Sequence, residues 1–143
     1  MEVTRERSIA APREAVAAYA TDPSNDPDWI GGIKRVRVLT DGPIAIGTRV
    51  ERTAGFMGRS FDYVLEIAEL DPACRIEMRS VSGPFPMDVT YEFEDAAPEG
   101  TLARIKVAGE PGRLYRLTGP LMSAAVGRNL GKDLRELERR VAS

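Results

Sequence analysis

The 143-residue chain has no histidine and a single cysteine, Cys74. Without histidine there is no Ser-His-Asp or Cys-His nucleophile and no imidazole metal site. One thiol makes neither an internal disulfide nor a thiolate cluster, and it suits a reducing compartment. Nowhere do about 18 apolar residues run together, so no membrane-spanning helix is expected. The opening MEVTRERSIAAP carries charge where a secretory signal needs an apolar stretch, so the expected location is the cytoplasm. Basic charge is not in excess: 20 Lys and Arg against 22 Asp and Glu leave a net charge of −2. These charges are spread along the chain, which argues against a nucleic-acid surface. No loop carries the spaced Asp/Asn ladder of a calcium site. No metal or cofactor is expected, and catalysis would have to rest on Tyr, Arg, Lys, Asp, Glu, Ser or Cys.

What is present is ordinary globular composition, 43% hydrophobic and 29% charged. The length fits one domain over residues 1–143 with a substantial core. The segment Leu117–Val141 has the longest helical pattern, with Val126, Leu130, Leu134, Leu137 and Val141 on one face. Lys132, Arg135, Glu136, Arg139 and Arg140 take the other face. Gly119 and Pro120 fit its start. Of its two mid-helix glycines, Gly131 is expected to mark close approach of the sheet. Met122, Ser123 and Val126 are expected to border open space.

Ahead of that helix the pattern is mostly of period two. Glu2–Ala10 reads as a strand, and Pro12 opens a short helix that fails before Asp22-Pro23. The breaker-rich DPSNDPDWIGG reads as a loop with one short helical turn around Pro27–Ile30. Six further strands follow at Ile33–Thr40, Thr48–Phe56, Arg59–Leu70, Cys74–Ser82, Phe85–Glu94 and Thr101–Ala108, separated by short turns. Short turns between consecutive strands predict an antiparallel meander. The class is therefore α+β, with a seven-stranded sheet curved around a long C-terminal helix.

The ordered series Ile9-Ala10-Ala11-Pro12, Asp22-Pro23, Trp29, Asp41-Gly42-Pro43 and Gly47-Thr48 is similar to the START-like superfamily, also labelled SRPBCC or polyketide cyclase/dehydrase and lipid transport. Leu70-Asp71-Pro72, Tyr91-Glu92-Phe93-Glu94, Gly100-Thr101 and Leu134 to Glu138 continue it across the chain. The resemblance implies a helix-grip fold with a cavity between sheet and helix, and binding of a small hydrophobic molecule there. Some members of the superfamily cyclise or dehydrate polyketides in that cavity. No motif selects a subfamily, names the ligand, or decides between monomer and homodimer.

Strand parity supplies the candidate ligand-binding residues. Inward positions include Arg52, Phe61, Tyr63, Met78, Ser80, Phe85, Met87, Val89 and Tyr91, with Met122 and Val126 from the helix. The apolar members read first as core. Arg52 reads either as the receiver of a ligand anion, as one half of a structural ion pair, or as turned outward by a strand twist or bulge. Tyr63 and Tyr91 offer hydroxyls, either to a ligand or to backbone carbonyls. Trp29 closes one end of the cavity or anchors its loop. Ser80 has no base to activate it. Cys74 reads as a small filler at a strand start. Lys34, Arg35 and Arg37 read as a solvated face rather than a docking patch. Three functions stay open: a cavity carrier, a cyclase or dehydratase using Arg52, Tyr63 and Tyr91, and a non-enzymatic interaction module.

Overall fold

The computed structural model describes residues 1–56, 58–84, 86–109 and 113–142, with the backbone alone for Phe56 and residues 113–118. Apolar–polar alternation becomes strand throughout. The first strand, β1 (Glu2–Ile9), leads into α1 (Arg13–Ala20), a 3-10 turn (Pro23–Asn25) and the four-residue α2 (Asp26–Trp29). The meander then runs β2 (Ile33–Val38), β3 (Arg49–Phe56), β4 (Arg59–Asp71), β5 (Arg75–Ser82), β6 (Met87–Ala96) and β7 (Gly100–Gly109). The last element, α3 (Arg113–Val141), is the long helix.

All seven strands form one antiparallel sheet in the order β1-β7-β6-β5-β4-β3-β2. The segment from α1 to α2 thus carries the chain from one sheet edge to the other. Register shifts interrupt the ladder near Ile33, Val64 and Ile67. Such bulges bend and twist a strand, and the 13-residue β4 carries two of these shifts. The β3–β4 hairpin turns at Gly58, whose φ of 79° is open to glycine at little cost. This is the helix-grip arrangement, with the curved sheet closed over α3.

The inner face follows the parity of the sequence. Val50, Arg52 and Ala54 of β3, Tyr63, Leu65 and Ile67 of β4, Met78 of β5, and Val89, Tyr91 and Phe93 of β6 are buried. Leu130, Leu134 and Leu137 meet them from α3. The outer face carries exposed or half-exposed ion pairs such as Arg104–Glu6 at 3.1 Å and Arg75–Glu92 at 3.1 Å. Pairs of this exposure contribute little to stability.

Two features of α3 differ from the sequence expectation. The helix begins at Arg113 and contains Pro120 rather than starting beside it. A proline inside a helix forgoes one backbone bond, and it usually clashes with the Cβ of the residue before it. Here that residue is Gly119, which has no Cβ, so half of the obstacle is gone. The second difference concerns the glycine pair. A Cβ at Gly131 would meet nothing within 4 Å, whereas one at Gly127 would overlap the Arg5 guanidinium, 2.8 Å from its Cζ. Of the two glycines it is therefore Gly127 that has a close neighbour, the guanidinium end of the exposed Arg5 side chain from β1.

Candidate functional site

The interior between sheet and α3 holds two polar regions of opposite character. The first is sealed. Arg52 on β3 donates from Nε to Asp26 Oδ2 at 3.0 Å, and its Nη2 lies 2.9 Å from the same oxygen. Nη2 also donates to the Tyr91 hydroxyl at 3.2 Å. Side chains of Arg52 and Asp26 are 5% and 3% exposed. Trp29 packs edge-on against Tyr91, with ring centroids 5.5 Å apart, and its buried Nε1 has no hydrogen-bond partner among the described residues.

Burial alone would lower the Arg52 pKa, but Asp26, Tyr91 and Tyr63 overcome it and hold the guanidinium charged. Burial raises the Asp26 carboxyl above its ordinary range, against the pull of Arg52. Tyr91 is pushed up by burial as well. The hollow beside this cluster measures about 10 Å³, too small for any organic ligand.

The second region is a cavity of about 170 Å³ open on one side. Its walls are mostly apolar: Phe61 from β4, Met87 from β6, Val107 from β7, and Met122, Val126 and Leu130 from α3. Three polar side chains interrupt them, Tyr63, Asn129 and Asp133. Gly83 lies close against Tyr63: a Cβ there would fall 2.7 Å from the Tyr63 Cβ. The Tyr63 hydroxyl makes no hydrogen bond among the described residues, although the residue is 7% exposed.

Asp133 is 6% exposed. Its Oδ1 accepts the Gly31 N–H at 3.0 Å, and its other carboxylate oxygen has no partner among the described residues. Burial raises its pKa from 3.8 to about 6, against the Gly31 bond and the fields of Arg52 and Lys132.

The sequence-derived candidates divide between these regions. Phe61, Tyr63, Met87, Met122 and Val126 line the cavity. Arg52, Met78 and Tyr91 border the small hollow instead. Trp29 and Val89 are core. Ser80 uses its Oγ to accept the Met87 N–H at 2.8 Å, which ties β5 to β6. Phe85 lies outside the described residues. Through Nε and Nη2, Arg52 makes the structural pair that is one of its sequence alternatives, with Asp26 and Tyr91 as partners. Among the described residues no three His, Cys, Asp or Glu side chains gather to hold a metal. No helix among them is long and apolar enough to cross a membrane.

A family model described as polyketide cyclase/dehydrase and lipid transport matches residues 1–142. The chain belongs to this family. Its fold recurs in TTHA0849 from Thermus thermophilus, 26% identical with a TM-score of 0.86, covering 99% of this chain and 97% of that one. It recurs in a START superfamily protein of Mycobacterium smegmatis, 19% identical at a TM-score of 0.82, over 99% and 97% of the two chains. The Zhui aromatase/cyclase of Streptomyces sp. R1128 is also similar, 19% identical at 0.82, over 99% and 93%. No curated protein sequence matches the chain. Within the family fold, the cavity between sheet and α3 is the concave apolar space of this member, and Asp133 is the carboxyl on its wall.

Asp133 is the residue that sequence reasoning missed. It follows Leu130 by three and precedes Leu137 by four, so it sits on the apolar stripe of α3. A carboxylate on that stripe was the available signal. Exposed Lys132 and Arg135 on either side masked it.

Proposed function

We propose that this protein binds a small apolar molecule in the cavity between the sheet and α3. The observation that carries this reading is the mostly apolar cavity of about 170 Å³ between the sheet and α3. An apolar cavity of roughly 150 Å³ accommodates benzene, so the enclosed part suits a one-ring molecule. The extended chain of a long lipid exceeds it. Of the activities in the family's description, a compact cyclic ligand therefore suits this chain better than lipid carriage. Membership in the family supports the placement of the ligand.

A second reading, proton transfer on a bound carbonyl compound, draws on Asp133. A carboxyl with a pKa of about 6 on a cavity wall is poised for acid–base work near neutrality. Deuterium exchange alpha to the carbonyl of bound phenylacetone, abolished in Asp133→Asn, would support it; exchange equal to that in buffer removes it.

The binding reading is tested by titrating the protein with toluene and indole, followed by chemical-shift changes. Both are expected to perturb β4, β6 and α3. Val126→Phe fills the cavity from α3 and is expected to abolish binding while the melting temperature holds or rises. Unchanged binding in Val126→Phe, or no binding to the parent protein, overturns the reading.

A further inference from the structure

We propose that the cavity takes a small apolar molecule bearing a protonated primary amine, with the Asp133 carboxylate as its anchor. This rests on the cavity being a binding site, and it names the chemistry that the site selects.

The argument starts from charge. Buried carboxylates are normally paired or fully hydrogen-bonded. Asp133 has a single bond among the described residues, from the Gly31 N–H, and a second oxygen left over. The charged groups around it do not fill that gap. Arg52 on β3 is bonded to Asp26 of α2 and to Tyr91. Lys132 is exposed on the outer side of α3. The Met1 ammonium, on a residue that also borders the cavity, donates to the Gly109 carbonyl at 2.8 Å. The cavity therefore presents a net acceptor, not the cationic receiver that Arg52 suggests in the sequence.

The count of acceptors points the same way. Tyr63 faces the cavity from β4, and Asn129 lies one turn before Asp133 on α3. Neither side chain has a hydrogen-bond partner among the described residues. The free Asp133 oxygen, the Tyr63 hydroxyl and the Asn129 carbonyl make three acceptors, and a primary ammonium has three N–H donors. The Phe61, Val107 and Leu130 walls then take the apolar body. A carboxylated ligand could accept from the Tyr63 hydroxyl and the Asn129 amide, but it would bring like charge to Asp133, which when ionised has no donor to offer it. A neutral alcohol has only one donor to offer. Because the anchor must be ionised, amine binding weakens as pH falls below about 6.

The test uses three probes of nearly equal shape: benzylammonium, benzyl alcohol and benzoate, titrated at pH 7.5 by calorimetry or NMR. Benzylammonium is expected to bind about tenfold or more tighter than benzyl alcohol, the effect of one charge-assisted hydrogen bond. Benzoate is expected to bind weakest. In Asp133→Asn, which keeps an acceptor for Gly31, both preferences are expected to vanish. Benzyl alcohol binding as tightly as benzylammonium, or a preference that survives Asp133→Asn, overturns the proposal and leaves the cavity reading standing. Failure of benzyl alcohol and toluene alike overturns both.

Discussion

The two polar regions of the interior are built from similar parts and differ in how they are satisfied. Around Arg52, cation, carboxylate and hydroxyl bond to one another, and the remaining hollow is about 10 Å³. Around Asp133, carboxyl, hydroxyl and amide border a cavity of about 170 Å³ and leave acceptors unmatched. A closed network fixes structure, because each member is stabilised only with the others in place. An open set of acceptors beside a cavity is left for solvent or a ligand to match. On the proposed function, the first region serves folding and the second binding, although Arg52 carries the more conspicuous chemistry in the sequence.

The largest expected effect tests the closed region. Arg52→Leu leaves Asp26 buried and unpaired, which is expected to destabilise the protein by about 3–5 kcal/mol in urea unfolding. Removing both charges, Arg52→Met with Asp26→Leu, is expected to restore most of that loss, since an apolar pair of similar volume replaces a buried ion pair at little cost. If Arg52→Leu folds with undiminished stability and loses carboxylated ligands selectively, the division between the regions is wrong.

Next comes the open region. The Asp133 pKa is raised in the folded protein, from 3.8 to about 6. The folded state thus binds the Asp133 proton more tightly than the unfolded state. Its contribution to stability is fully present below pH 3.8 and is lost as pH rises through about 6. Asp133→Asn has no charge to bury, so it is expected to be more stable than the parent by about 2–3 kcal/mol at pH 8. The gap should close below about pH 4. A constant difference across that range would mean that Asp133 is not ionising in a buried site.

How much of this is legible follows from periodicity. The strands and their inner faces are, because one face of an antiparallel sheet is buried and the period is two. That period alone places Arg52 inward. Its partner is not legible, because Asp26 sits in a breaker-rich loop where no period applies. The start of α3 is misread because Pro120 looks like a helix opening, while Gly119 before it lets the helix pass through. Gly127 and Gly131 look alike in sequence; only the Arg5 guanidinium close to Gly127 tells them apart. The cavity itself depends on side-chain volumes from several strands and a helix meeting in space, which no local pattern encodes.

The smallest effects come from one chemical deletion made in both regions. Tyr91 and Tyr63 are 3% and 7% exposed, and both lie on the inner face of the sheet. Tyr91→Phe removes an acceptor from Arg52 Nη2 and is expected to cost about 1.5 kcal/mol, as for a hydrogen bond to a buried charge. Tyr63→Phe removes a hydroxyl that bonds nothing among the described residues. It is expected to change stability by less than about 0.5 kcal/mol, because no partner is left unsatisfied. The order should reverse for binding: Tyr63→Phe weakens benzylammonium, and Tyr91→Phe leaves it unchanged. Equal stability losses would place Tyr63 in a hidden structural bond, and equal binding losses would join the two regions into one site.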